Sequence, residues 1–352
     1  MANATHNVGD GNYSDDGDEL QNSNTPPSGD WLHTETDGPG HWGIMLTIVI
    51  TGIAGNILLF IMMRNTKVRF LSYSVYLKFL TVSDSLLLVM RLIQETDRIF
   101  ILLSTTPVND AFCKIESSIH ILAMLLSPWL VVGLSLDRFV CVRFPMTRGR
   151  FCSRKKAVLV CSTMLGISVV LIVPIVFKVQ AVNEQCVSSD ELYYYLAVIR
   201  LLIASSLPCV AILLLNILII IQIRSSNAFR NRFARSRSHS ANRQHDHSTR
   251  PLVITSVMAF VTMVPAAVTE SSYNLLGVFD RDLKAYELSK AILPPVRLIY
   301  LLNFGLNFYL LVLSSKNYRN IMKEMLGCNR STQYREHHVN SISLWVNMNT
   351  NS

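Results

Sequence analysis

Charged and polar side chains set inside apolar runs are where this chain concentrates its chemistry. Arg91 and Glu95 stand four residues apart, as do Glu116 and His120, so on a helix each pair shares a face. Arg200, Glu270 and Arg297 follow singly, Asp84 is a lone acid in an apolar stretch, and Asp137-Arg138 is an adjacent acid–base pair. Ionised groups in a hydrocarbon environment are expensive and mark ligand sites or pathways unless they pair internally. Glu95, Glu116 and Glu270 are suited to accept charge-assisted hydrogen bonds from a ligand Arg or Lys. Arg200 and Arg297 suit a carboxylate, phosphate or carbonyl. The plainer alternative is that Arg91 pairs with Glu95, and Glu270 with a neighbouring Arg. No metal-spaced His/Cys cluster or nucleophile motif is present, so no enzyme activity and no catalytic metal are expected.

The elements that position these residues are long and apolar. Of 352 residues, 50% are hydrophobic and 16% charged, against roughly 25% charged in an ordinary soluble domain. Residues 43–63, 157–177, 201–223, 251–269 and 298–315 contain no Asp, Glu, Lys or Arg. A bilayer-spanning helix needs roughly 17–25 apolar residues, so each run is long enough. Residues 71–99 and 112–142 are apolar with embedded charges and complete a set of seven. The expected class is an all-α membrane protein with spans near 43–63, 71–99, 112–142, 157–177, 193–223, 251–274 and 291–314. A soluble enzyme, a disordered chain, a coiled coil and a nucleic-acid-binding domain are excluded by this composition.

Charge then sets the sidedness. The connections 64–70, 143–156 and 224–250, together with the tail after 315, hold 21 Lys or Arg and three acids: Asp246, Glu324 and Glu336. Residues 1–40 hold eight acids and no Lys or Arg. By the positive-inside rule the N-terminus lies outside and the C-terminus in the cytoplasm. The N-terminal 40 residues read as a disordered acidic tail, without the pattern of a cleavable signal peptide. Two sequons, at Asn3 and Asn12, are candidate glycosylation sites there. The Ser/Arg/His-rich segment 224–250 reads as a basic cytoplasmic loop attracted to anionic lipid. Ser236 and Ser238 beside its arginines are weak candidates for kinase modification.

Ordered motifs along residues 50–328 resemble the rhodopsin-like (class A) G-protein-coupled receptors. Gly55-Asn56 stands in the first helix, and Ser72 to Leu77 followed by Leu80 to Asp84 matches the second. The third runs from Cys113 to Asp137-Arg138-Phe139, with the family's 25-residue step from Cys to Arg. Pro145 follows, and Pro174, Pro208 and Pro265 stand where helices four, five and six each carry a proline. The departures are specific. Met164 replaces a Trp, Asn216 a Tyr, Thr262-Met263-Val264-Pro265 the family's C-W-x-P, and Asn307-Phe308-Tyr309-Leu310-Leu311 its N-P-x-x-Y. Helix two and the Asn-Phe motif are further similar to invertebrate neuropeptide receptors, the FMRFamide-receptor-like group among them.

The resemblance implies roles for particular residues. Cys113 and Cys186 would form an extracellular disulfide, and Cys161 and Cys209 would be core thiols. Asp84, with Ser127, Asn303 and Asn307, would hold a sodium ion as an allosteric modulator; oxygen ligands suit a hard cation, and an ion-free hydrogen-bond network is the alternative. Asp137, Arg138 and Phe139 would govern G-protein coupling, with His245 and Asp246 at the position of the helix-six partner. A basic amphipathic segment from Ser315 would be a short helix eight, followed by Cys328 as a palmitoylation candidate. Arg91, Glu95, Glu116, His120, Arg200, Glu270 and Arg297 would converge on one extracellular cavity.

An amine receptor of this family would carry an Asp where His120 stands, and a retinal protein a Lys where Leu301 stands. A cavity with both signs of charge suits a peptide. The expectation is therefore a plasma-membrane receptor for an extracellular neuropeptide. It would act through a heterotrimeric G protein and outward movement of helix six, with arrestin, receptor kinases and membrane lipids as further partners and no nucleic acid. A chemosensory receptor for small polar ligands is the alternative on the same fold. A transporter or channel is less favoured, because apolar residues Leu130 to Leu136 separate the outer charges from the cytoplasm.

Overall fold

The computed structural model describes residues 39–66, 68–100, 110–144, 151–182, 185–233, 243–279 and 284–326. The acidic tail with Asn3 and Asn12, Pro145, and Cys328 lie outside them. Among the described residues the chain is a bundle of long helices with one small hairpin. Helices α1 (Pro39–Met62), α2 (Ser72–Phe100), α3 (Asp110–Arg143) and α4 (Arg154–Lys178) come first. Strands β1 (Val179–Val182) and β2 (Gln185–Ser188) pair antiparallel, with Ala181 opposite Cys186. Helix α5 has three contiguous parts: α-helical Asp190–Val198, π-helical Ile199–Ser206 and α-helical Leu207–Phe233. Helix α6 is Arg243–Phe279. Helix α7 runs Lys284–Gly305 and then Asn307–Ser314, the two parts bent by 59°. A short α8 (Lys316–Met325) closes the order.

The lengths carry the membrane reading. Helices α1, α3, α4 and α5 are each long and apolar enough to cross a bilayer, and the two parts of α7 qualify as one bent span. Helix α2 bears Lys78, Asp84, Arg91 and Glu95 along its length; it takes its place by packing between α1 and α3, as α6 does between α5 and α7. The outer faces are apolar, with Leu159, Val170 and Phe177 on α4 and Leu214 and Ile221 on α5 exposed. In water such a surface would be an aggregation site; in lipid it is the solvent-facing surface. The connection expected over 224–250 is shorter in the structure, because α5 continues to Phe233 and α6 begins at Arg243. Arg and Gln are good helix formers, and helices whose ends meet water can run on past the membrane.

Two apolar layers hold the bundle. Toward the hairpin end, Met45, Leu88, Ile121, Leu125 and Phe304 pack together. Toward the α8 end, Leu59, Met63, Tyr76, Leu130, Leu134, Leu311 and Tyr318 do the same. Between α1 and α7 the backbones nearly touch: a Cβ on Gly52 would meet Gly305 Cα at 2.9 Å and Leu88 Cδ1 at 2.8 Å. Small residues permit such close approach in membranes, where packing rather than the hydrophobic effect holds helices together. Asn56 Nδ2 donates to the Phe304 carbonyl at 3.1 Å beside this crossing. The α7 bend falls at Leu306, next to Gly305, although the following positions hold Phe308 rather than proline. It places Asn307 against α2.

Candidate functional site

Glu270 is the hub of the buried charges. It comes from α6 and is 8% exposed. Arg200 Nη1 of α5 lies 2.6 Å from its Oε1, Arg297 Nη2 of α7 at 3.5 Å and Arg91 Nη2 of α2 at 3.7 Å. One carboxylate oxygen thus answers guanidinium groups from three other helices. Arg91 also donates to Gln94 Oε1 at 3.3 Å, so Gln94 and Glu270 are both its neighbours. Glu95, buried at 9%, is an electrostatic neighbour of Arg297. His120 lies within the field of Arg91, Arg200 and Arg297, and its Nδ1 is buried with no hydrogen-bond partner among the described residues. Glu116 is buried one turn away on the same helix.

The local backbone explains how Arg200 reaches the hub. It sits in the π-helical segment, where Ile199, Arg200, Ala204 and Ser205 turn inward. Pro208 has no N–H to return to the Ala204 carbonyl, and the i→i+5 pattern absorbs the mismatch. The same distortion leaves the Ile203 carbonyl open to Trp129 Nε1 of α3, which donates to it at 3.0 Å. Beneath the Arg200–Glu270 pair lies a small cavity lined by Met124, Arg200, Ser205, Met263, Glu270 and Tyr300. Tyr300, Met124 and Ser205 carry no charge and stood out in no motif. Their only signal was helical spacing from Arg297, His120 and Arg200.

A second polar site lies at mid-bundle. Asp84 is fully buried. Ser127 Oγ donates to its Oδ1 at 2.5 Å and Asn307 Nδ2 to its Oδ2 at 2.8 Å. These bonds tie α2 to α3 and α7. Asn303 is buried four residues before Asn307, on the far side of the bend.

The third site is at the α8 end of α3. Asp137 Oδ2 accepts from Arg138 Nη2 at 2.6 Å and from Ser72 Oγ of α2 at 2.9 Å. The Arg138 guanidinium stacks over the Tyr73 ring at 4.5 Å, and its Nε is buried with no hydrogen-bond partner among the described residues. Arg138 is therefore held by its own neighbour and by α2. Phe139 is half-buried beside it. The side chains of His245 and Asp246 lie outside the description.

Cysteines divide between the two ends. Cys113 at the start of α3 is disulfide-bonded and fully buried. Cys186 stands in β2, its side chain outside the description, and β1 packs against α3. Lys178 Nζ and Glu191 Oε2 pair at 2.8 Å near this hairpin, and that hydrogen bond holds the exposed Glu191 carboxyl below its usual range. Cys161 and Cys209 are free and buried. A second disulfide, Cys141–Cys152, joins the end of α3 to the residue before the α4 cap. No sequence reading singled it out; the only hint was that Cys141 follows Asp137 by one helical turn.

The model of the 7 transmembrane receptor (rhodopsin family) matches residues 55–334. The 5-hydroxytryptamine receptor 2C of Homo sapiens is 29% identical over 164 residues, which cover 44% of this chain and 35% of that protein. The dog protein of the same name is 30% identical over 165 residues, with the same coverage. A probable G-protein coupled receptor of Caenorhabditis elegans, B0563.6, is 23% identical over 315 residues, covering 81% of this chain and 69% of its own. The chain thus spans about a third of the length of the 5-hydroxytryptamine receptors that it matches.

Proposed function

The chain belongs to the rhodopsin family of seven-transmembrane receptors, and we propose that it binds an extracellular peptide and activates a heterotrimeric G protein. Family membership makes it a multi-pass plasma-membrane receptor rather than an enzyme. The distribution of Lys and Arg puts the hairpin end outside and the α8 end in the cytoplasm. On that reading the charge hub faces the ligand and Asp137-Arg138 faces the G protein.

The observation that carries the peptide reading is the convergence of Arg91, Arg200 and Arg297 on Glu270. Three guanidinium groups from three helices meet at one carboxylate oxygen, so an acceptor brought from outside would compete with Glu270 for these donors. A peptide carries such groups as a terminal carboxylate, an amide carbonyl or a backbone oxygen. An acceptor that takes Arg200 from Glu270 would loosen α6 from α2, α5 and α7 together. A ligand shifts an equilibrium only by binding one state better than the other, and here the difference is the set of ion pairs it replaces. Asp137 caging Arg138 then fits the state that precedes coupling. The Asp84 carboxylate with the oxygens of Ser127, Asn303 and Asn307 suits a sodium ion that would favour the same state.

The relatives named for 5-hydroxytryptamine suggest an amine instead. The α3 site here offers His120 beside three arginines, which repel an ammonium group. The test is a calcium and cyclic-nucleotide assay in cells expressing the receptor, challenged with a library rich in amidated neuropeptides and with 5-hydroxytryptamine. A peptide response lost in Arg200→Ala and partly restored in Arg200→Lys, at equal surface expression, supports the reading. A response to 5-hydroxytryptamine alone would overturn it. Silence across the peptides with a response to small polar molecules would point to a chemosensory receptor.

A further inference from the structure

Cys141 and Cys152 lie at the end of the molecule that also carries the basic connections, a place where a permanent disulfide is not expected. Cys141 is 2% exposed on α3, one turn beyond Asp137, and Cys152 is half-buried just before the α4 cap Ser153. Their Cα atoms are 6.5 Å apart and their sulfurs are bonded; disulfides span Cα separations of about 4.4–6.8 Å. Cys152 Sγ also lies 3.6 Å from the Asp137 carbonyl oxygen, and a carboxylate oxygen of Asp137 and both sulfurs are within 4.8 Å of one another. The bond therefore pins the end of the α3–α4 connection onto the turn of helix that holds Arg138.

We propose that Cys141 and Cys152 form a reversible thiol–disulfide switch on the G-protein-facing end of the receptor. This rests on the sidedness proposed above: glutathione keeps cytosolic thiols reduced, and disulfides found there are transient and redox-sensing. The pair is then a dithiol at rest and a disulfide under peroxide. Cys152, the more accessible sulfur, attacks one peroxide oxygen as a thiolate; the O–O bond breaks, a sulfenic acid forms, and hydroxide leaves to become water. The Cys141 sulfur attacks that sulfenic sulfur, the S–S bond forms, and its oxygen leaves as a second water. Two sulfurs have lost two electrons and the peroxide oxygens have gained them. Two glutathione thiols reverse the step by exchange, ending as glutathione disulfide. The closed form holds the connection against Asp137 while that residue cages Arg138, so oxidation favours the uncoupled state.

The experiment uses the full chain in cell membranes, treated with hydrogen peroxide and then with light and heavy alkylating reagents before and after chemical reduction. Mass spectrometry should show the Cys141 and Cys152 peptides changing label together by several-fold. Glutathione should restore them, while the buried Cys161 and Cys209 stay unchanged. Receptor-promoted guanine-nucleotide exchange should fall several-fold with peroxide in the wild type and not in Cys152→Ser or Cys141→Ser. Thiols that stay reduced overturn the proposal. So does a bond that glutathione does not open, a bond that forms without changing exchange, or protection released by a chelator, which would mean a bound thiophilic cation. In Cys141→Ser, labelling of Cys152 by a membrane-impermeant maleimide should require permeabilised cells. Labelling in intact cells overturns the sidedness itself, and is read separately from the redox result.

Discussion

Three arginines converge on Glu270, and distance ranks them. Arg200 at 2.6 Å is the principal partner, whereas Arg91 at 3.7 Å also bonds Gln94. Orphaning a buried charge costs about 3–5 kcal/mol. Arg200→Ala leaves Glu270 with two more distant guanidinium groups, so a loss of about 2 kcal/mol is expected, below that full penalty. Arg91→Gln removes the farthest cation and with it some like-charge repulsion, so its thermal melting in detergent should match the wild type or exceed it. A lower melting temperature for Arg91→Gln than for Arg200→Ala would contradict this ranking. At Asp84, sodium should raise the melting temperature of the wild type over that in a bulky organic cation, and Asp84→Asn should abolish the difference. Equal curves for the wild type would leave Ser127 and Asn307 as a hydrogen-bond network alone. The convergence of these residues was legible from the motifs. Which acid would be the hub was not, because spacing of four on α2 points Arg91 to Glu95, whereas the tertiary neighbours bring it to Glu270.

Elements place these side chains, and two of their devices have no strong sequence mark. The π-helical stretch Ile199–Ser206 turns Arg200 inward and frees a carbonyl for Trp129; Pro208 announces an irregularity without saying which kind. The α7 bend occurs beside Gly305 where the family pattern would lead one to look for a proline. Its partner is Gly52 of α1, and only the pair together shows why either is glycine. Gly52→Ala would put a methyl 2.9 Å from Gly305 Cα and 2.8 Å from Leu88 Cδ1, and backbone cannot yield as a side-chain end does. Overpacking of this kind costs about 1–3 kcal/mol, and the displaced α7 would also weaken the Asn307–Asp84 bond. Gly166→Ala on α4, where a Cβ meets nothing within 4 Å, should be neutral or slightly stabilising. Equal thermal melting for the two variants would remove the case for a tight α1–α7 crossing.

At the scale of the whole molecule, the seven-helix class was readable from five charge-free runs and two charged ones. The lengths of α5 and α6 beyond the bilayer were not, since an Arg-rich segment reads equally as loop or solvated helix. The molecule is polarised: a charge hub at one end, a caged Arg138 at the other, and the Asp84 network between them. Helix α6 contributes Glu270, the acid on which the three arginines converge, so the hub is a restraint on the helix whose movement would open the coupling face. The most direct test of that account is ligand-independent guanine-nucleotide exchange in membranes carrying Glu270→Gln, compared with the wild type at matched surface density. The amide keeps the shape and removes the charge that ties α6 to α2, α5 and α7, so exchange per receptor should rise several-fold. Exchange equal to or below that of the wild type, from receptors that reach the surface folded, would contradict the account.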